Sequence, residues 1–368
     1  MELISADDAV RLYPRLTRFR EIAPASRAIP RTPDFMFGSP TAAVLASYYG
    51  YQEISAPGVW SIDRAILQGA YLVRMPNAFV HVGSANLHPD YIERAASDAS
   101  SEDTAPKRHL EPHVLLIGPG YQVFGHWLAD FLPKLYVLEC AGYDLATLRF
   151  IVPADTPAFG LEWLRMCGIR DEQLSIFHAP HDSWDVDLLI PTIIHNGLRG
   201  PMFGEVARFL QSRIRARSAE HPARIFLSRA RATPGRACRN RDEIEQIADK
   251  AGLAIVYPEQ MPLADQIALY ASADLVVGEY GSAMHTALFS RPGTVVCGLR
   301  GSRLHPGFLQ SAMGAALRQP TGYVFGQTHD DASQTFTLDA DEFSACLDII
   351  GDGTSFEEQR PAPVNKCK

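Results

Sequence analysis

Apolar and polar positions follow no steady period over residues 1 to about 60, which are rich in proline and arginine and read as an irregular lead-in with weak helix signals. Regular patterning begins with "AYLVRMPNAFVHV" (70–82), two extended segments joined around Pro76-Asn77 as a hairpin. A polar, loop-like stretch follows (94–111). "HVLLIGPG" (113–120) then reads as a buried strand whose glycine-proline turn opens a helix. From there strands and helices alternate: "RFIVPA" (149–154), "GLEWLRMCGI" (160–169), "QLSIFHAP" (173–180), "VDLLIPTII" (186–194) and a long helix, "FGEVARFLQSRIRARSAE" (203–220).

A second series then begins. It runs "RIFLSR" (224–229), helix "RDEIEQIADKAG" (241–252), "LAIVYPE" (253–259), helix "LADQIALYASA" (263–273), a strand "DLVVG" (274–278), helix "SAMHTALF" (282–289) and "TVVCGL" (294–299). Alternation of this kind predicts parallel sheets with helices on both faces. Two series predict two α/β domains, expected at 1–215 and 216–335. "DADEFSACLDII" (339–350) is a short amphipathic helix with Phe343, Cys346, Leu347 and Ile350 on one side, and 351–368 reads as a flexible tail.

Composition narrows the classes. The 368 residues, 46% hydrophobic, can fill two cores. The net charge is −8 and 29 of the 34 basic residues are arginine, so no lysine-rich run offers a grip on a nucleic-acid backbone. Six cysteines without a CxxC pair argue against a disulfide framework or structural zinc and fit a reducing compartment. The first residues are acidic where a signal peptide is basic, and no window approaches the ~18 apolar residues of a membrane span. The expectation is a cytoplasmic protein, with peripheral docking at the inner face of a membrane left open.

The chemistry concentrates in "VVGEYGSAMHTALF" (276–289), where a buried strand hands over through Gly278 and Gly281 to a helix starting at Ser282. A helix N-terminus at a sheet edge presents unpaired N–H groups, here those of Ser282 and Ala283, and suits an anion. Ligands of open parallel sheets bind beyond the carboxyl ends of the strands. Three turns should therefore converge: Arg229 with Arg231, Arg236 and Arg239 in the following loop, Pro258-Glu259, and Gly278 to Ser282. Arginines there suit bidentate grip on a diphosphate. Glu279 would repel that charge, so it is read either as an acceptor for ribose hydroxyls or as a cap for a neighbouring helix. His285 faces either the diphosphate and sugar or a buried hydrogen-bond partner. In the first domain, His126 and Asp130 lie four apart on one helix face, with Leu128, Phe131, Leu132 and Leu135 on the buried stripe and Pro133 predicted to kink the helix. Such a pair either serves as a general base or simply satisfies backbone and solvent. No HExxH motif is present, and no metal is expected.

These residues resemble the signature of glycosyltransferase family 61. The matching segments are "RIFLSR", "RACRN" (236–240, ending in Asn240), "VYPEQ" (256–260), "DQIALYASAD" (265–274), "VVGEYGSAMHTALF" and, in the first domain, "GHWLADFLPKL". Together they cover about half the chain. The family often has His where this chain has Tyr280, with His285 the expected substitute, and Glu where it has Arg241, read here as a change at the start of an exposed helix.

The resemblance implies a GT-B-like enzyme, with two Rossmann-like domains facing across a cleft and the helix block at 336–350 crossing back to the first domain. It implies an inverting, metal-independent transferase that needs no cofactor. Such an enzyme moves a sugar from a nucleotide-sugar, with UDP as the expected nucleotide, to a hydroxyl of a glycan or lipid-linked glycan in bacterial polysaccharide (capsule or exopolysaccharide) assembly. Donor contacts are then expected from Arg229, Arg236, Asn240, Pro258, Glu259, Gly278, Glu279, Tyr280, Gly281, Ser282, Ala283 and His285, with Asp130 or His126 as base. Two rival readings are a non-catalytic nucleotide- or sugar-binding scaffold of a polysaccharide assembly complex and a nucleotide-sugar epimerase.

Overall fold

The lead-in is more regular than its sequence suggests. The computed structural model describes residues 2–28, 32–46, 52–69, 72–85, 105–179, 181–194, 202–216, 220–230, 237–303, 308–330 and 333–351. Within them, Glu2–Ser5 and Thr17–Glu21 are strands, and between them the helix Ala6–Leu12 is capped by the Ser5 hydroxyl, which accepts from the Asp8 amide. These strands are short and bury few side chains, so they leave no two-residue alternation to read.

The chain divides into two compact units. Unit 1 comprises Met1–Arg27 and Glu53–Ile214; unit 2 comprises Ala28–Gln52 and Arg215–Lys368. The junction near 215 falls where the alternating series restarts, while the excursion of residues 28–52 into unit 2 had no sequence signal.

The sheet of unit 1 is mixed rather than parallel throughout. Its order is Glu2–Ser5, Ala78–His81, Leu72–Met75, Gly58–Gln68, Ser183–Pro191, His113–Val114, Arg149–Pro153, Leu174–Phe177. The last four strands are mutually parallel, and Gly58–Gln68 joins them antiparallel through Ser183–Pro191. The hairpin around Pro76-Asn77 is present as Leu72–Met75 against Ala78–His81. The long helix ends earlier than its pattern suggests, at Phe203–Arg213.

Unit 2 contains a parallel sheet in the order Ala254–Val256, Arg224–Leu227, Leu275–Glu279, Val295–Gly301, Thr321–Thr328, Phe35–Gly38. Alternate side chains enter two cores. Phe226, Val277, Cys297 and Leu299 pack with Ile244 and Ala248 of the helix Arg241–Lys250, while Ile225, Leu227, Val276 and Val296 pack with Leu269 and Tyr270 of Leu263–Ser272. Burial on both faces explains why these strands read as continuous apolar runs.

The final helix, Ala340–Gly351, corrects the expectation that 336–350 crosses to the first domain. Its Phe343, Cys346, Leu347 and Ile350 are buried in the first of these unit 2 cores, and the Glu342 carboxylate accepts from the Gly38 amide. The apolar stripe was legible, but a stripe does not say which core it enters. Among the described residues, no helix is long and apolar enough to cross a membrane.

Candidate functional site

Strand order fixes where unit 2 can bind a ligand. From Arg224–Leu227 the chain goes first to Ala254–Val256 on one side, and the next strand, Leu275–Glu279, lies on the other. Connections leaving in opposite directions open a crevice beyond the carboxyl ends of those two strands, a topological switch point. Gly278 allows their close approach: a Cβ there would lie 2.5 Å from the Leu227 carbonyl oxygen and 2.8 Å from its amide nitrogen. The strand runs one residue past Gly278, to Glu279, and Ser282–Phe289 is a 3₁₀ helix rather than an α-helix.

Arg229 follows the first strand and Gly281 the second. The Arg229 guanidinium lies across Gly281, where a methyl group would overlap Nη1. Its Nε is buried and has no hydrogen-bond partner among the described residues. Ser282 and Ala283, at the start of the 3₁₀ helix, remain half-buried at the same edge. The structure thus brings together a guanidinium, a glycine and a helix N-terminus at the switch point, a combination suited to an anion.

Glu279 is engaged by groups of unit 2 itself. Its carboxylate is buried, and both oxygens are occupied. Oε1 accepts from the Arg229 amide (3.1 Å) and Arg241 Nε (2.6 Å), and Oε2 from the Cys238 amide (3.1 Å) and Arg241 Nη2 (2.8 Å). Arg241 is therefore not an exposed helix-start residue; its side chain is 20% exposed and paired with a carboxylate 1% exposed. The hydrogen bond to Glu279 raises the Arg241 pKa above its usual value. The Cys238 thiol is pushed up to about 12, chiefly by burial and further by the Glu279 charge.

The remaining expected donor residues separate into distinct environments. Tyr280 is buried, with its ring 5.8 Å from that of Tyr323 and its amide donating to the Leu299 carbonyl. His285 Nδ1 lies 3.0 Å from Gln310 Oε1 in the interior. Asn240 is structural: its Nδ2 donates to the Leu338 carbonyl and to Glu243, and its Oδ1 accepts from the Leu338 amide. Pro258 is buried and Glu259 exposed in the turn after Ala254–Val256. Arg231 and Arg236 lie outside the described residues.

In unit 1 the strand His113–Val114 leads through Gly120, at φ +88°, into the helical segment that begins at Phe124. Gly120 is required there twice over, because its backbone is left-handed and a Cβ would come within 2.8 Å of the His126 imidazole. The predicted kink at Pro133 takes the form of a π turn over Trp127–Phe131, closed by the Leu132 amide donating to the Trp127 carbonyl. Pro133 has no N–H to continue the ladder and begins the next helix, Pro133–Cys140. Leu128, Phe131, Leu132 and Leu135 are buried as expected.

His126 and Asp130 do meet. Nδ1 of His126 and Oδ2 of Asp130 form a short hydrogen bond, with the imidazole 41% exposed and the carboxylate 2% exposed. That bond raises the histidine pKa although partial burial works against it. Asp130 Oδ1 is buried and has no hydrogen-bond partner among the described residues. Four residues on, Lys134 is buried, with Nζ donating to the Leu116 (3.0 Å) and Ala85 (3.4 Å) carbonyls. Burial draws its pKa down to about 8, and the Asp130 charge acts in the opposite direction. Among the described residues, no three His, Cys, Asp or Glu side chains are grouped to hold a metal ion.

Sequence reasoning passed over Arg241 and Lys134. Arg241 carried a signal, because a cation at the first position of a helix opposes the macrodipole and calls for an anionic partner. Glu279 carried the matching one, a carboxylate at the end of a buried apolar strand. Lys134 carried none, since a lysine on a helix normally reaches solvent.

The class follows from comparison of these segments with known families. Residues 124–297 match the family model Glycosyltransferase 61, a span containing His126, Asp130, Arg229, Arg241, Glu279 and Gly281. Over that span, a little under half of the chain, the sequence is similar to this family, and the class it points to is glycosyltransferase. A sugar donor and an acceptor are the partners such a reaction requires. No curated protein matches the chain.

Proposed function

We propose that this glycosyltransferase is inverting and metal-independent. In this reading unit 2 binds a nucleotide-sugar, with UDP as the nucleotide, and unit 1 binds a glycan or lipid-linked glycan hydroxyl, a GT-B-type division of labour. Capsule or exopolysaccharide assembly in bacteria is the proposed setting. The observation that carries the donor assignment is Arg229 lying across Gly281 at the switch point, its Nε buried and without an acceptor among the described residues. A diphosphate there would meet the guanidinium and the first N–H groups of the 3₁₀ helix, enough charge stabilisation to dispense with a divalent cation.

His126 is the proposed base. Asp130 is too buried to meet an acceptor, whereas the imidazole is partly exposed and held through Nδ1. Nε2 takes the acceptor hydroxyl proton as that oxygen bonds to the anomeric carbon. The bond from that carbon to the diphosphate breaks, and the diphosphate leaves with the electron pair and the added negative charge. A single displacement of this kind inverts the anomeric centre. Titration of the protein with UDP in EDTA, for wild type and Arg229→Ala, tests the donor assignment: binding by wild type that disappears in the variant supports it, and absence of wild-type binding overturns it.

A further inference from the structure

We propose that Glu279 and Arg241 form a positioning device for the donor: one buried carboxylate fastens the backbone at Arg229 and at Cys238 and so holds the Arg229 guanidinium over Gly281 before the diphosphate arrives. The inference rests on the donor reading above. Its basis is the bonding of Glu279, whose two oxygens each take one backbone amide, from Arg229 and from Cys238, and one N–H of Arg241.

The arrangement solves two problems at once. An anion-binding arginine pays conformational entropy on binding unless its backbone is already fixed, and prior fixation converts that cost into affinity. A bare carboxylate close to Gly281 would repel a diphosphate, and the Arg241 guanidinium cancels its charge through a two-pronged contact. The fork geometry matters as well as the charge, because both Nε and Nη2 are engaged. Neither residue needs to touch the donor, and Glu279, 1% exposed with both oxygens occupied, is badly placed to do so.

Calorimetric titration with UDP in EDTA is the test, applied to wild type, Glu279→Gln, Arg241→Lys and Phe343→Leu. The last change weakens the apolar core of the same unit and removes none of the hydrogen bonds to Glu279. The expected result is a Kd raised about tenfold or more in Glu279→Gln, an intermediate rise in Arg241→Lys, which keeps the charge but loses the fork, and no change in Phe343→Leu despite its lower Tm. Amide exchange at Arg229 and Cys238, measured without nucleotide, should quicken in the first two variants only. Wild-type affinity in both site variants overturns the positioning role and leaves the donor reading intact. An equal loss in Phe343→Leu reduces the effect to general stability and also overturns it. Absence of UDP binding by wild type overturns the donor reading and the inference with it. Should Glu279→Gln fail to fold, Arg241→Lys decides between these outcomes.

Discussion

The Arg229 guanidinium occupies the space that any side chain at Gly281 would fill. Gly281→Ala must therefore displace the guanidinium, and UDP affinity is expected to fall about tenfold with little change in Tm, because only the end of a flexible side chain has to move. Gly278→Ala makes the contrast. Its Cβ would press on the Leu227 backbone itself, so the expected loss is in stability, roughly 1–3 kcal/mol, read by urea denaturation.

The His126–Asp130 bond sets a pH dependence. Because Asp130 raises the His126 pKa above its ordinary 6.5, the imidazole is free to accept a proton only above that raised value, and the rate should fall on its acid side. Asp130→Asn should move this acid limb to lower pH and cut the rate about a hundredfold or more. Hydrolysis of a panel of UDP-sugars, with water as acceptor, supplies the profile. The same bond stabilises the fold in full below pH 6.5 and loses its effect as pH rises through the raised value.

Lys134 has the opposite sign. Its pKa is about 8 in the folded chain and 10.5 as the ordinary value, so between these the unfolded state binds the extra proton and stability rises with pH. Lys134→Met should remove that slope and stabilise the protein near neutrality by up to about 3 kcal/mol. Urea unfolding of both forms across that window checks it; parallel slopes would show that the lysine is not the source.

Arg241→Ala leaves the Glu279 carboxylate buried without its counter-charge. The expected cost is roughly 3 kcal/mol, the usual consequence of removing one partner from a buried ion pair. A smaller effect is expected for the exposed pair Arg165–Asp171, which solvent already screens. Denaturant midpoints for Arg241→Ala and Arg165→Ala give the comparison.

The parts of the fold legible in the sequence are those in which local pattern and burial agree. Three strands of unit 2, Arg224–Leu227, Leu275–Glu279 and Val295–Gly301, lie within two residues of the expected 224–229, 274–278 and 294–299. Thr321–Thr328 was missed: "TGYVFGQT" mixes glycine and polar residues into a strand buried by its neighbours. Side-chain partners were the least legible. The spacing of His126 and Asp130 places them on one face and predicts their contact, whereas Glu279 and Arg241 are 38 positions apart and meet only because two strands and a loop converge. Ser282–Phe289 is tightened to a 3₁₀ helix, with the Tyr270 hydroxyl bonded to Ala283, and no local propensity encodes that packing.

The strand Phe35–Gly38 belongs to unit 2 but precedes most of unit 1, and its neighbour Thr321–Thr328 comes near the end; the Thr321 amide donates to Asp34 across 287 residues. On the ribosome this strand emerges early and its partner late, with Glu53–Ile214 made in between. Until then the Phe35 ring, which lies against Gly322 in the finished sheet, has no surface to cover it. Vectorial synthesis thus cannot complete the two units in the order of their residue numbers. A fragment starting at 215 would emerge with one border of its sheet bare, ready to pair with another chain.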